Sequence, residues 1–422
     1  MIYDEPNRLT RALFLFFAIF VFSSTFSIAL SQTMLGISLV LFIIVAIRGK
    51  HSPCVGNLKL FYLFAALYVL WLVISAFVNG TAVKSLLIIR EEWLFLIIPT
   101  GVYLVQYERF RRRTIAVLAS GVFIISLYAL IQYATGVNWF KSYLPAPAPT
   151  FGYRVQGTFS TRLTFANYYG TAAMFLIGYA VVSGKALSLR ARRLYVGIAV
   201  LAILVSLLTF SRGVVLATVV ALIIVALLMG KRYWVPAVSL IVVLAVLVAV
   251  VPGVSERFKG GAINDLNPDY EGGRLFIWKH SLKMIEDNPV FGVGQGNFYY
   301  VYKSMLRPDI PKYRQLAHAH DDMLNVAAVG GLPDLAFYLA MWAVALSMFW
   351  RGFRDAALSE MDRRVSLAAF IGSIMFFLTS LIEATFADEE VRQLLMLIWA
   401  IGLGIWYKRQ NTAAGSGGRL SS

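Results

Sequence analysis

The sequence predicts an all-α polytopic membrane protein, with about twelve transmembrane helices and one large helical loop late in the chain. Three observations predict it. Of the 422 residues, 59% are A, V, I, L, M, F, W, Y or C and the mean hydropathy is +0.71, well above the roughly 45–50% apolar content of soluble domains. Apolar runs close to the roughly 18–20 residues that span hydrocarbon recur along the chain, and in lipid the backbone groups of such runs are satisfied within helices. Basic residues collect in short connections between alternate runs. The formal charge of +16 therefore reads as membrane orientation and not as a nucleic-acid surface.

The runs fall near 12–29, 31–47, 60–78, 86–105, 114–133, 164–183, 194–210, 213–229, 234–251, 332–350, 366–385 and 391–407. They divide the chain into an N-terminal transmembrane region of about nine helices (1–251), a loop (252–331), a C-terminal region of about three helices (332–410) and a disordered tail (411–422). The first run follows Arg8 and Arg11 and looks locally like a signal sequence. A second run follows it at once, so it reads as a retained span. Basic groups lie at Arg48, Lys50 and Lys59, at Arg109 and Arg111 to Arg113, at Lys185, Arg190, Arg192 and Arg193, at Lys231 and Arg232, at Arg351, Arg354, Arg363 and Arg364, and at Lys408 and Arg409. With twelve crossings all share one side, which the positive-inside rule makes cytoplasmic. Both termini are then cytoplasmic, and the 134–163 and 252–331 loops are external.

Cys54 is the only cysteine, which excludes an intrachain disulfide and any multi-cysteine metal site. The 252–331 loop is the one long polar stretch. Within it Leu275, Trp278, Leu282 and Ile285 recur at helical spacing, so the spacing predicts a helix with that stripe against a support. Asp287-Asn288-Pro289 ends it. Gly292-Val293-Gly294-Gln295-Gly296-Asn297 lacks the strand, spacing and lysine of a nucleotide loop and reads as a turn. His318-Ala319-His320-Asp321-Asp322 closes the loop just before Gly330-Gly331.

Arg162, Arg212 and Arg274 each stand beside a predicted helix end on the external side. Guanidinium groups suit phosphate through their planar donor fork, although interfacial arginines also snorkel with no ligand. Arg90-Glu91-Glu92 interrupts an apolar run and reads either as an internal charge pair or as the boundary of the span. Lys84 lies near the same face and can assist an anionic ligand. His318 and His320 are candidate bases. With Asp321 and Asp322 they also resemble a metal-binding group, but their adjacent spacing favours a metal-independent transferase over a metallohydrolase. Glu383 and Asp388-Glu389-Glu390 allow a cation path, without the repeated pattern of a transporter. The residues thus point to an outward-facing membrane enzyme acting on a phosphate-bearing lipid.

Gly273-Arg274 through Phe298, His318 through Gly331 and Thr209-Phe210-Ser211-Arg212-Gly213 resemble the O-antigen ligase and polymerase superfamily of the bacterial inner membrane, a group of lipid-dependent glycosyltransferases. The resemblance implies a catalytic histidine at His320, with Asp321 where the family has asparagine, and phosphate-facing arginines at Arg162, Arg212 and Arg274. It implies a multi-pass inner-membrane protein with a periplasmic catalytic loop, embedded in inner-membrane phospholipid. The implied donor is polysaccharide on undecaprenyl pyrophosphate and the implied acceptor an outer core sugar of lipid A-core, with no cofactor and no nucleic acid. Polymerisation onto a second lipid-linked glycan, transfer to protein and glycolipid transport stay open.

Overall fold

The computed structural model describes residues 6–49, 55–140, 145–148, 152–182, 184–230, 234–250, 264–265, 267–271, 273–309, 311 and 316–417. Lys50, Cys54, Pro149, Lys231, Arg232, the start of the 252–331 loop and residues 418–422 lie outside the described residues. The described chain is helical, with one isolated bridge between Pro147 and Tyr153. Its α-helices are α1 (Arg8–Ser23), α2 (Ile28–Gly49), α3 (Lys59–Val78), α4 (Ala82–Ile89), α5 (Ile97–Val105), α6 (Glu108–Thr135), α7 (Arg162–Val181), α8 (Leu189–Leu207), α9 (Arg212–Met229), α10 (Trp234–Val250), α11 (Arg274–Asp287), α12 (Phe298–Met305), α13 (Asp322–Arg354), α14 (Glu360–Ser380) and α15 (Glu389–Gly417).

The expectation of about twelve transmembrane helices is corrected: the described residues hold six candidate spans by length and composition. Among the described residues, the helices long and apolar enough to cross a membrane are Ile28–Arg48, Gly56–Val78, Glu108–Thr135, Arg212–Met229, Asp322–Arg354 and Glu360–Ser380. The other apolar runs fail for separate reasons. Helix α1 has 16 residues and α10 has 17, short of the roughly 20 needed. The run at 86–105 is divided into α4, a 3-10 segment Arg90–Leu96 and α5, of 8, 7 and 9 residues. Helix α8 opens with Arg190, Arg192 and Arg193, α7 carries Asn167, Tyr168 and Tyr169, and α15 carries Glu389, Glu390, Arg392 and Gln393. Residues 164–176 of α7 and 391–405 of α15 are all buried, so protein sheathes these two helices and tolerates polar side chains that lipid would not. An apolar run buried in protein reads in sequence like one buried in lipid. The alternation of basic connections, which rested on twelve crossings, falls with the count.

Helix α11 forms where its spacing predicts and stops at the expected Asp287, but it is rotated about its axis. The buried residues are Ile277, Ser281 and Met284, while Leu282 of the expected stripe is 50% exposed. Position on the scaffold decides this. The following loop is clamped along a break in α13, and α11 faces that clamp. Leu332 N–H donates to Pro289 O at 2.8 Å, Val293 N–H to Ala328 O at 2.8 Å and Gly294 N–H to Val329 O at 2.9 Å. From α3, Trp71 Nε1–H donates to Gly330 O at 2.9 Å and Ser75 Oγ to Phe291 O at 2.5 Å. Gly331 makes the break, with φ +84°. A Cβ there would fall 2.1 Å from Val290 O, so only glycine lets the two segments approach this closely.

Arg90 is exposed, but Glu92 beside it is 7% exposed and meets Arg392 of α15, 2% exposed, at 2.8 Å. The Arg392 guanidinium also lies 5.4 Å from the Phe386 ring. The acid of the Arg90-Glu91-Glu92 interruption is thus paired inside the protein, but with Arg392 of α15 and not with Arg90, which lies at the surface. At the far end of α14, Asp362 pairs with Arg111 at 2.8 Å and with Lys408 at 3.1 Å. Removing one partner of a buried pair strands the other charge. Arg392→Leu is expected to lower unfolding stability in detergent by about 3–5 kcal/mol, and adding Glu92→Leu should restore most of it. An Arg392→Leu protein as stable as wild type would refute the coupling.

Candidate active site

The three arginines singled out in the sequence are each the first residue of a helix: Arg162 of α7, Arg212 of α9 and Arg274 of α11. Local capping sets each start. Thr161 Oγ1 accepts from Thr164 N at 3.1 Å, and Thr164 Oγ1 in turn donates to Asp388 Oδ2 at 2.6 Å, which ties α7 to the turn before α15. The Gln132 carboxamide of α6 accepts from Gln156 N at 2.9 Å and Gly157 N at 2.8 Å, fixing the approach to Arg162. Arg212 follows a turn in which Phe210 has φ +57°.

His320 precedes α13 and has φ +51°. Among the described residues Phe210 and His320 are the non-glycine residues with positive φ, a conformation that costs about 1–3 kcal/mol and persists where surrounding contacts overdetermine it. Two carboxylates hold the contacts here. Asp321 Oδ1 caps α13 by accepting from Leu324 N at 2.8 Å, and burial raises the Asp321 pKa against that hydrogen bond and one from Met323. Asp322 accepts from Phe386 N at 2.9 Å and from Thr385 Oγ1 at 3.2 Å. Both acids brace the loop, and His320 is held between the cap and the 383–386 turn.

That turn presents Glu383, on which the site converges. One carboxylate oxygen accepts from His320 Nδ1 at 2.9 Å and the other from Arg274 Nη2 at 2.8 Å. A carboxylate only accepts, so Nδ1 carries a proton, and in the neutral ring Nε2 keeps its lone pair. Burial alone would raise the Glu383 pKa, but the hydrogen bond from His320 and the neighbouring His320, Arg274 and His318 outweigh it and hold the group below the usual carboxylate value. Arg212 Nη2 meets Asp265 Oδ2 at 2.8 Å, and Arg274 Nε lies 4.0 Å from the same oxygen. Burial lowers the Arg162 pKa while Glu383 opposes the change, which places Arg162 within the same field.

The structure joins His320 and Arg274 through Glu383, stacks His318 on His320 and sets Arg212 beside Arg274 through Asp265, with Arg162 within the field of Glu383. Arg90 is exposed and pairs with none of them among the described residues. Lys84 is on α4 and its side chain lies outside the described residues. His280 donates from Nδ1 to Phe276 O at 2.8 Å, within its own helix. No group of three or more His, Cys, Asp or Glu arranged to hold a metal ion occurs among the described residues.

One stretch of the chain contributes Arg212, Arg274, His318 and the strained His320. Residues 197–339 match the O-Antigen ligase family. The match bears out the resemblance carried by Thr209–Gly213, Gly273–Phe298 and His318–Gly331, and it supports O-antigen ligase activity at the level of the family, in a multi-pass inner-membrane protein. It includes Arg212, Arg274, His318 and His320, and ends before Glu383. No curated protein matches the chain.

Glu383, Asp265 and Arg392 carry contacts that the sequence reading did not assign. Glu383 stood at the end of an apolar run and was read toward a cation path, although an acid so placed needs a cationic partner. Asp265 gives no signal, since an aspartate in a polar loop is ordinary.

His318 stacks edge-on to His320 with ring centroids 4.3 Å apart, and its Nδ1 accepts from His320 N at 3.4 Å. Burial, then the neighbouring His320, pulls its pKa from 6.5 to about 4, against the opposing effect of Glu383. Between these values the unfolded chain binds a proton that the folded one refuses, so stability rises with pH across the window and is lost as pH falls from 6.5 toward 4. Wild-type protein in detergent is expected to lose more thermal stability between pH 7 and pH 4.5 than His318→Gln. Equal losses would show that His318 is not held neutral.

Proposed function

We propose that this protein is an O-antigen ligase that transfers polysaccharide from undecaprenyl pyrophosphate to an outer core sugar of lipid A-core. The observation that carries the reading is the Glu383 bridge, which sets a histidine with a free Nε2 beside a cluster of arginines. The acceptor hydroxyl attacks the donor's anomeric carbon, and a new C–O bond forms as the bond to the diphosphate breaks. His320 Nε2 takes the hydroxyl proton. Glu383 stabilises the imidazolium that results and fixes the ring. Arg212, Arg274 and Arg162 stabilise the negative charge that develops on the leaving diphosphate. His318 and Asp321 support the strained loop that presents His320, and Asp322 anchors it to the 383–386 turn. Arginine charge takes the place a divalent ion holds in other diphosphate chemistry, so transfer needs no metal and no other cofactor.

The active site faces the periplasm and both termini the cytoplasm. Support comes from the ends of α14: Arg111 and Lys408 gather at Asp362 at its start, while Glu383 follows its finish, and basic residues favour the cytoplasmic side. In a Cys54→Ser background, Arg112→Cys should be protected from an impermeant thiol reagent in spheroplasts, while Pro147→Cys and Tyr300→Cys, both at exposed positions, should react. Protection of Tyr300→Cys until the membrane is opened would reverse the orientation.

His320→Gln keeps size and hydrogen-bonding capacity but no basic nitrogen. It is expected to bind donor normally and lose roughly 100-fold or more of single-turnover transfer to lipid A-core. Near-wild-type turnover would remove the proton-transfer role. The same liposome assay, offered a second lipid-linked glycan or a protein acceptor in place of lipid A-core, identifies the reaction by the acceptor that is extended. Transfer should stay within about twofold after impermeant chelator treatment, because the arginines supply the electrostatic stabilisation. Loss restored by one metal would sink metal independence.

A further inference from the structure

Resting on the diphosphate role proposed above, we infer that Asp265 is the resident counter-ion of that site, whose carboxylate bridges Arg212 and Arg274 in the free enzyme and is exchanged for the donor's diphosphate. The two arginines come from helices distant in sequence, yet one carboxylate oxygen serves both, at 2.8 Å and 4.0 Å. The local chain is built to deliver it. Three successive turns, Asn267 N to Asn264 O at 3.4 Å, Tyr270 N to Asn267 O at 3.2 Å and Gly273 N to Tyr270 O at 2.8 Å, bring Asn264 and Asp265 back to the start of α11. Gly273 lets them close, since a Cβ there would fall 2.5 Å from Asn264 O. The carboxylate is thereby set over the guanidinium of the residue after the glycine.

Position and exposure separate Asp265 from Glu383. The Glu383 side chain is 11% exposed and is committed on both oxygens to His320 and Arg274, whereas the Asp265 side chain is 27% exposed and Arg212 beside it 30%. A half-open ion pair is weak and exchangeable, while a buried one is not. Displacing Asp265 frees Arg212 and the Nε side of Arg274 for a diphosphate diester, which is negative on each phosphate. The exchange also works in reverse: after transfer, Asp265 competes the leaving diphosphate off the arginines, and no bare cationic cluster is left facing the membrane surface.

The test is titration of purified, full-length protein with inorganic pyrophosphate. Asp265→Asn, which keeps shape and removes charge, is expected to bind pyrophosphate roughly three- to tenfold more tightly than wild type, with a lower KM for the lipid-linked donor and a kcat reduced by slower release. Asp265→Ala should act in the same direction. If Asp265 instead only positions the arginines, both variants bind pyrophosphate no better or more weakly than wild type, which overturns the inference. An Arg212→Gln/Arg274→Gln protein separates this from failure of the underlying reading. Its losing pyrophosphate while Asp265→Asn gains nothing overturns the Asp265 role alone, and its binding as well as wild type overturns the diphosphate site itself.

Discussion

A single buried carboxylate organises the site. Glu383 uses one oxygen on His320 and the other on Arg274, so the imidazole and the guanidinium are held at a spacing set by one carboxylate. Without it, two cationic or potentially cationic side chains would face each other in a poorly solvated place, where repulsion is strong. With it, each partner is oriented by a charge-assisted hydrogen bond, and the imidazole is committed to one tautomer. The left-handed backbone at His320 belongs to the same arrangement. Its cost is offset by the cap that Asp321 places on α13 and by the clamp of Asp322 on Thr385 and Phe386.

Rigidity beneath the site comes from a broken helix. The clamp of residues 289–294 along the Ala328–Leu332 break, closed from the α3 side by Trp71 and Ser75, satisfies backbone groups that an interruption would leave bare in an apolar surrounding. The Glu92 to Arg392 pair then ties the 3-10 segment before α5 to α15, with Arg392 against Phe386. Phe386 is also the residue whose N–H Asp322 accepts. The helices that carry this polar framework are the ones sheathed by neighbours, which explains why a bundle rich in apolar helices has six able to cross a membrane by their own length and composition.

Charges divide between the two ends of α14. One end holds the Asp362 cluster with Arg111 and Lys408, the other the Glu383 cluster. At the first, Asp362 meets two cations, Arg111 buried with it and Lys408 partly exposed. At the second, Glu383 meets Arg274 and His320, and these side chains are partly open.

Sequence by itself determined the helical membrane class, the place of nearly every helix, the end of α11 at Asp287 and the turn at Gly292–Gly296, and it singled out Arg162, Arg212, Arg274 and His320 as candidates. Each of these is written in local terms: hydropathy over a window, a proline, spaced glycines, a motif. Tertiary structure alone decided which apolar helices are sheathed by protein, as α7 and α15 are, because burial in protein and burial in lipid select the same side chains. It decided which face of α11 is buried, because that depends on the clamp the helix meets. It also decided that Glu383 joins His320 to Arg274, that Asp265 joins Arg212 to Arg274 and that Arg392 answers Glu92. These pairs lie 63, 109, 53 and 300 residues apart for His320 to Glu383, Arg274 to Glu383, Arg212 to Asp265 and Glu92 to Arg392, and a charge in one segment does not name the distant charge that the folded chain brings to meet it.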